Sequence, residues 1–441
     1  MCARCTRRTE GDCRLPISEG REVLRRENSC ADTAVGHAGS DPSDGRRRRR
    51  TLIGGAAVLA VFGVLCPAKL WRPGYVFTGQ ENIQITEAQA WWSGRLDLPE
   101  RTWDTALFNG RVYSYFPPMF TILAAAVVPF FDGIPHGLIV AMVLLVPLCA
   151  YVLFLRLTGS ECWGAILAIG LVCGTSAFPV LDKTVRGAAT YPVNHTLSTV
   201  GLLLILIEFF GRRRVWPACL GLALTALSRQ LTVAYALPIA LMSLTGAPRE
   251  VRGRRLAVLG LTCVGLAVLY GGLNFLKFGH PLTTGYMLNH EGRDDVFARE
   301  AREYGLLSWH WVPRNLYYSN LGLPKLHRVM IEGEERAFVR PNTMGTGIWW
   351  TTPLLLWICV ETRRLLRDRQ AVVWLGAAGL VYGMLLFWHA TGAVQRGFNR
   401  YSLDYVPVLL ALVAPTCCVG WRRWVSLAMV GWSVLYFRWL I

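Results

Sequence analysis

The stretch GLIVAMVLLVPLCAYVLFL, residues 137–155, has no charged side chain and approaches the roughly 20 residues that a helix needs to cross a bilayer. Four further stretches are similarly apolar and cover residues 51–71, 196–210, 255–276 and 371–388. Hydrophobic residues make up 53% of the 441 positions, and they occur in blocks rather than at the spacing of an amphipathic surface helix. These blocks predict an all-α polytopic membrane protein.

The positive charge of the chain is grouped beside the apolar stretches. The formal net charge of +17 would fit a nucleic-acid-binding protein if the basic residues formed one surface. Instead, the arginine clusters end at Arg50, Arg214, Arg255, Arg369 and Arg423. Because basic residues that flank membrane helices stay in the cytoplasm, these clusters predict the orientation of the chain, and we expect no nucleic-acid partner.

This orientation predicts a cytoplasmic N-terminus and two long outer loops, residues 72–133 and 276–343. Shorter connections at 178–192 and 390–404 are expected on the same outer side. The predicted crossings lie near residues 51–71, 134–155, 162–178, 193–210, 257–275, 344–360, 371–389, 405–420 and 424–440. Two shorter arms within residues 215–244 bring the total to about 11 transmembrane segments. The apolar stretch 117–131 is predicted to be a juxtamembrane helix. If it crossed the membrane, the arginine cluster that ends at Arg214 would lie on the outer side instead of in the cytoplasm.

Residues 1–50 are predicted to form a disordered, basic, cytoplasmic tail that contacts anionic membrane lipids, and residues 51–441 the transmembrane domain. A zinc cluster in the tail is the alternative interpretation. Its ligands would be Cys2, Cys5, Cys13, Cys30 and His37. Only the first two have ligand-like spacing, so we predict no metal and no cofactor.

Arg229 lies between two apolar runs in LTALSRQLTVAYALP, residues 224–238, and each run is too short to cross a bilayer alone. Both flanks, at Arg214 and Arg249, are predicted to be cytoplasmic, so the segment enters the membrane and returns with Arg229 at its apex. An arginine at a helix centre costs about 2.5–3.5 kcal/mol on insertion scales, which makes Arg229 a candidate functional residue. At an apex the side chain could also simply reach the outer interface. Both interpretations stay open.

The first outer loop is rich in carboxylates. Glu81 and Asp104 are the candidates for a general base, which takes a proton from an acceptor hydroxyl. Tyr113 is one of several aromatic residues interleaved with them, and aromatic rings either stack on sugars or lie at the membrane interface. The other acidic residues of the loop are Glu87, Asp97 and Glu100.

Four segments, taken in order, resemble bacterial GT-C-fold glycosyltransferases, the group that includes polyprenyl-phosphate-dependent mannosyl and aminoarabinose transferases. NGRVYSYFPP, residues 109–118, resembles the end of their first outer loop. Residues 174–200, with His195, resemble their outward turn before a span with a polar residue. LNFLKFGHPLTTGYML, residues 273–288, and GAVQRGFNRYSLDYVPVLLAL, residues 392–412, resemble two further family segments. The likeness covers roughly residues 51–420.

The resemblance implies a GT-C-like bundle in the plasma (inner) membrane with an extracytoplasmic active site. Such an enzyme moves one sugar from a polyprenyl-phosphate donor to a cell-envelope glycan, lipid or protein, with inversion at the anomeric carbon. Many members have an aspartate just after the first span, whereas this chain has Gly79, Gln80 and Glu81. Glu81 and Asp104 therefore both remain candidates for the base.

The resemblance also implies a cationic site for the donor phosphate, for which Arg229 and Arg400 are the candidates. Further substrate-binding candidates are His195, Tyr113 and Tyr286. Asp404 is expected to pair with Arg400, four residues earlier on one helix face. Two functions of other classes remain open, a lipid-linked sugar transporter or flippase, and a non-catalytic membrane protein that binds lipid-linked sugar.

Overall fold

The computed structural model describes residues 42–65, 72, 74–187, 189–245, 248–291, 293–331, 334–342, 344–389 and 397–440. Helices predominate among these residues, and residues 51–441 belong to one compact unit. The cysteines and the histidine of the alternative zinc interpretation lie outside the described residues. The first helix of the described residues begins at Pro42, inside the segment that the sequence predicts to be disordered.

The helices and strands are as follows. In chain order, the α-helices are α1 (Pro42–Leu65), α2 (Ile83–Trp92), α3 (Met119–Ala125), α4 (Val128–Phe131), α5 (His136–Thr158), α6 (Glu161–Cys173), α7 (Ala177–Gly187), α8 (Thr190–Phe209), α9 (Val215–Ala226), α10 (Ala236–Leu244), α11 (Arg249–Phe278), α12 (Tyr286–His290), α13 (Val296–Tyr304), α14 (Trp311–Leu316), α15 (Ile348–Thr351), α16 (Leu356–Arg367), α17 (Arg369–Phe387), α18 (Val406–Cys417) and α19 (Arg422–Leu435). The strands are β1 (Val76–Phe77), β2 (Thr105–Phe108), β3 (Arg111–Ser114), β4 (Ile134–Pro135), β5 (Lys325–Ile331) and β6 (Glu334–Arg340). Short 3-10 turns cover Gln230–Tyr235, Pro353–Leu355 and Arg400–Asp404, and π turns cover Tyr317–Leu321 and Tyr436–Leu440.

Four of the described helices, α5, α8, α11 and α17, are long and apolar enough to cross a membrane. The pair α6 and α7 is bent by 66° and makes a fifth span if the two helices count as one. Shorter apolar helices occupy residues 51–65, 215–226, 230–244 and 406–417. The predicted helical fold with membrane-spanning segments is thus confirmed in outline, whereas the predicted total of about 11 segments is not.

The predicted crossing at residues 344–360 is broken in the structure. Helix α15 ends at Thr351, and α16 begins only at Leu356. Pro353 begins the intervening 3-10 turn, because proline has no amide hydrogen to continue a preceding helix. Apolar composition alone does not reveal such a break.

Helix α8 is the central helix of the bundle. In its most apolar stretch 94% of the residues are buried inside the protein, against 6% for α11, which leaves α11 at the periphery. Helices α8 and α9 approach closely at Gly201 and Gly221, where a Cβ atom on either glycine would lie within 2.6 Å of the other's carbonyl oxygen. Small residues at a crossing let two membrane helices pack backbone to backbone. Helix α8 therefore brings its N-terminal end, near Tyr191 and His195, to the middle of the fold.

The first outer loop is a folded structure. Strands β1 and β4 pair antiparallel and join its two ends. Strands β2 and β3 form a hairpin whose turn residues, Asn109 and Gly110, have φ of 49° and 74°. Asn-Gly is the preferred pair for such a two-residue turn, because both positions need positive φ. The stretch predicted to be a juxtamembrane helix forms two short helices, α3 and α4.

The two long outer loops pack against each other. Phe278, at the end of α11, contacts Tyr113 of the hairpin edge-on, with ring centres 5.6 Å apart. Asn289 of α12 donates hydrogen bonds of 2.8 Å to the carbonyl oxygens of Trp103 and Thr105. These contacts hold the residues just before β2 in a defined position.

A buried ion pair also joins the two loops. Lys277 of α11 pairs with Glu87 of α2, and both side chains are almost completely buried. Lys277 donates a further hydrogen bond to the Ser114 carbonyl at 3.1 Å, and Thr121 donates one to Glu87 at 2.6 Å. A buried ion pair adds little net stability but disfavours any arrangement that separates its partners. The pair therefore fixes the hairpin relative to α11.

Candidate functional site

An open cavity of about 820 Å³ lies at the first outer loop. Pockets that bind small molecules typically have volumes of about 300–1,000 Å³. Both predicted bases, Glu81 and Asp104, line the cavity, together with Glu100, Asp132 and Trp103. The remaining lining includes threonine and glutamine side chains, so the walls can form many hydrogen bonds to a ligand rich in hydroxyl groups.

Glu81 is held by hydrogen bonds within its own turn. The Tyr75 hydroxyl donates to one carboxylate oxygen at 2.7 Å, and the Thr78 amide and hydroxyl donate to the other at 2.8 and 2.7 Å. Burial acts to raise the pKa of Glu81, but the hydrogen bonds from Thr78 and Tyr75 outweigh it and lower the pKa below its ordinary value. This carboxylate caps the turn before α2 and is a weak proton acceptor.

Asp104 is in a different environment, directly before β2. The Tyr115 hydroxyl lies 3.5 Å from its carboxylate, at the outer limit of a hydrogen bond. Burial raises the pKa of Asp104 above its ordinary value, although the positive charge of Arg400 and the Tyr115 hydroxyl act in the opposite direction. A carboxylate with a raised pKa is the stronger proton acceptor, so the structure favours Asp104 over Glu81 as the base.

Arg229 lies at the break between α9 and the following 3-10 turn, at the apex that the sequence predicts. Its Nε and Nη2 donate to the same oxygen of Asp404 at 3.1 and 2.7 Å, and Nε also lies 3.3 Å from the second oxygen. The Asp404 side chain is 1% exposed. The charge of Arg229 is therefore balanced within the protein.

The predicted pairing of Asp404 with Arg400 is wrong. Residues 400–404 form a 3-10 turn rather than an α-helix, and with three residues per turn, positions four apart do not share a face. Asp404 instead points to Arg229, and its backbone oxygen accepts a hydrogen bond of 2.5 Å from Tyr235. The turn thus presents Asp404 and Arg400 to different partners.

Arg400 lies between two tyrosine rings. Its Cζ is 4.2 Å from the ring centre of Tyr191 and 5.0 Å from that of Tyr401, and its Nη2 donates to the Tyr401 hydroxyl at 3.2 Å. Among the described residues, its buried Nε has no hydrogen-bond partner and its charge has no carboxylate in ion-pair contact. Arg400 is therefore a cation with capacity left for an anionic ligand.

The other residues predicted to bind substrate lie in three different environments. His195 is buried, and its Nδ1 lies 3.9 Å from Asp404 and has no hydrogen-bond partner among the described residues. Tyr113 packs inside an apolar cluster with Phe278, a position that suits packing better than substrate contact. Tyr286 lies 4.8 Å from the Tyr115 ring, and thus beside the aromatic wall near Asp104.

Sequence reasoning did not nominate Lys183 or Tyr191, and it noted Tyr115 only among the loop aromatics and Tyr401 only within a family segment. The lysine had a usable signal, because lysine occurs at only four positions in this arginine-rich chain. Tyr191 had none, since a tyrosine near a membrane surface is ordinary. Among the described residues, no group of three or more histidine, cysteine, aspartate or glutamate residues could hold a metal ion.

Comparisons with known proteins add no family. No protein-family model matches the chain, and no curated protein sequence matches it. Functional inference therefore depends on the sequence and on the geometry described above.

Proposed function

We propose that this protein is a membrane glycosyltransferase of GT-C type, which moves one sugar from a polyprenyl-phosphate donor to an acceptor hydroxyl outside the cytoplasm. The observation that carries the proposal is the position of Asp104, which borders the 820 Å³ cavity and feels the positive charge of Arg400. A proton acceptor and an uncompensated cation are the two groups that this transfer requires.

The proposed step uses both groups. The acceptor oxygen attacks the anomeric carbon of the donor sugar, and its proton passes to the Asp104 carboxylate. The bond between that carbon and the phosphate oxygen breaks, and its electron pair stays on the oxygen. Arg400 stabilises the charge that the phosphate gains. Attack from the side opposite the phosphate inverts the anomeric carbon.

The proposal assigns supporting roles to the remaining predicted residues. Glu81 holds the turn at the cavity wall, and the Arg229–Asp404 pair anchors the 3-10 turn that carries Arg400. Tyr286 and Tyr115 offer aromatic faces beside Asp104, on which a sugar ring can stack. The packed outer loops and the flanking arginine clusters support a plasma-membrane protein with its N-terminus in the cytoplasm and its site outside.

The test measures release of polyprenyl phosphate by the purified protein in lipid nanodiscs. Polyprenyl-phosphate sugars are supplied in turn with cell-envelope glycans, lipids and proteins as acceptors. We expect release from wild type with at least one donor and acceptor pair. Asp104→Asn should lower turnover by about 100-fold or more, which is the usual contribution of a general base.

Glu81→Gln is the matched control, because it also removes one negative charge from the cavity wall. It should lower turnover far less than Asp104→Asn does. Equal losses in the two variants would reject Asp104 as the specific base. If wild type binds donors yet releases nothing with any acceptor, the transporter or binding-protein interpretation replaces the enzyme.

A further inference from the structure

Two cations contact one tyrosine side chain near the N-terminal end of α8, one at its ring and one at its hydroxyl group. Arg400 Cζ lies 4.2 Å from the centre of the Tyr191 ring, and Lys183 Nζ lies 5.6 Å from it. Lys183, on α7, also donates a hydrogen bond of 2.9 Å to the Tyr191 hydroxyl. We call these three residues the Tyr191 site.

Cations close to the Tyr191 site have carboxylate partners. Arg229 pairs with Asp404 at 2.7 Å, and Arg186, three residues after Lys183 on α7, pairs with Asp182 at 2.8 Å. Within the described part of the chain, neither cation of the Tyr191 site forms such an ion pair. The site therefore holds two positive charges with no carboxylate of the described residues in ion-pair contact.

Two like charges in one site repel each other, and the repulsion is strongest where water is scarce. The contact of Arg400 with the Tyr191 ring and the hydrogen bond from Lys183 to its hydroxyl offset only part of this cost. An anion between them would turn repulsion into attraction. Phosphate suits the position, because its oxygens accept hydrogen bonds from guanidinium and ammonium groups together, and the Nε of Arg400 has a hydrogen bond to give.

We infer that the Tyr191 site binds a phosphate monoester, with Lys183 supplying the second positive charge. The inference rests on the proposed function, whose reaction converts a singly charged phosphodiester into a monoester that carries two charges above a pH of about 6. Arg400 balances the first charge, and Lys183 balances the charge that appears as the sugar–phosphate bond breaks. Arg229 takes no part, because Asp404 already balances it.

The first experiment measures binding to the full-length protein in lipid nanodiscs at neutral pH. The probes are polyprenyl phosphate, neutral polyprenol, and inorganic phosphate as a competitor. Lys183→Met should weaken polyprenyl phosphate binding by roughly tenfold. Polyprenol binding should not change, which shows that the variant is folded. Lys183→Arg keeps the charge and should recover much of the affinity.

Arg186→Gln is the matched control, since it removes one positive charge from the same helix outside the Tyr191 site. It should leave polyprenyl phosphate affinity unchanged. Strong competition by inorganic phosphate would support the site and assign it to free phosphate, whereas weak competition would assign it to the lipid carrier. Unchanged affinity in a folded Lys183→Met variant, or an equal loss in Arg186→Gln, overturns the inference.

The second experiment separates kcat from KM for sugar transfer. Because the second charge exists only after bond breaking begins, Lys183→Met should lower kcat by roughly tenfold and change donor KM little. Loss of phosphate binding in this variant, with no transfer by wild type, would keep the phosphate site and reject the glycosyltransferase. Transfer that does not depend on Lys183 would keep the enzyme and reject the inference.

Discussion

Arg229 and Arg400 lie against the same ring, Tyr401, with Cζ atoms 4.7 and 5.0 Å from its centre. Arg229 donates to both oxygens of a buried carboxylate, whereas Arg400 donates one hydrogen bond to Tyr401 and has an Nε without a partner among the described residues. Two arginines that the sequence nominated equally therefore differ in how their charge is balanced, because of one aspartate.

The same contrast separates the two carboxylates of the cavity. Three hydrogen bonds satisfy Glu81 and lower its pKa, while burial raises the pKa of Asp104. Charged groups whose hydrogen-bond or ion-pair partners are present stabilise the structure, and charged groups that lack such partners are the candidates for catalysis or ligand binding. Four variants test this division, from the largest expected effect to the smallest.

Asp404→Asn should be the most damaging, because it leaves the largely buried Arg229 without its counter-charge. Removing one member of a buried ion pair costs about 3–5 kcal/mol of unfolding free energy. The measurement is denaturant unfolding in detergent micelles. Arg400→Met is the control and should change stability by much less. Comparable losses of unfolding free energy in Asp404→Asn and Arg400→Met would contradict the assignment of a structural role to Arg229 alone.

Arg400→Met should act on turnover instead. Loss of one preorganised charge-stabilising group typically lowers kcat by about 100- to 1,000-fold. Release of polyprenyl phosphate measures the effect, with thermal unfolding as the check on folding. Arg400→Lys retains the charge but not the planar guanidinium, and we expect only partial recovery. Full activity in Arg400→Met contradicts a role in holding the phosphate.

Glu81→Gln should lower stability by at most about 1 kcal/mol, since the hydrogen bonds it weakens are near solvent. Because its folded-state pKa is lowered, ionised Glu81 stabilises the protein above its unfolded-state pKa. That contribution is lost as pH falls through the lower folded-state pKa. The unfolding midpoints of wild type and Glu81→Gln should therefore approach each other as the pH is lowered from neutral to acidic. A constant difference between them contradicts this assignment.

Asp104→Asn should have the smallest effect on stability, and one opposite in sign to that of Glu81→Gln. We expect its free energy of unfolding to rise slightly at neutral pH. Its folded-state pKa is raised, so ionised Asp104 destabilises the fold above that pKa, and the cost vanishes below the unfolded-state pKa. Turnover depends on the same ionisation, because Asp104 must be deprotonated to act as the base. Turnover should therefore fall as the pH drops through the raised pKa of Asp104. A less stable Asp104→Asn protein would show that this carboxylate is a structural partner.

Much of the fold followed from local patterns. Apolar blocks predicted the long helices, and two flanks predicted to be cytoplasmic indicated a break near Arg229, which lies between the end of α9 at Ala226 and the 3-10 turn from Gln230. The number of crossings did not follow, because hydropathy measures apolar content and does not register a helix interrupted at Pro353. The helical pairing of Asp404 with Arg400 failed for a similar reason, since a 3-10 turn has a different periodicity.

The sequence nominated the types of residue in the candidate site, carboxylates and arginines, but only some of the individual residues. The sequence nominated Asp104 and Arg400, and the structure relates them through charge. It nominated Glu81 and Arg229 equally. The groups that satisfy Glu81, on Thr78 and Tyr75, lie only three and six residues before it, whereas the partner of Arg229 lies 175 positions away. Lys183 escaped notice because its neighbour in space, Arg400, lies far along the chain.

The sequence by itself determined what short-range chemistry controls, namely apolar helices, basic flanks and the Asn-Gly turn of the hairpin. Tertiary structure alone decided which charges are balanced. Arg229 meets Asp404 across 175 positions of the chain, and Glu87 meets Lys277 across 190. The free energy of a charge depends on its burial and on the groups within a few ångströms, and folding brings those groups from distant parts of the sequence.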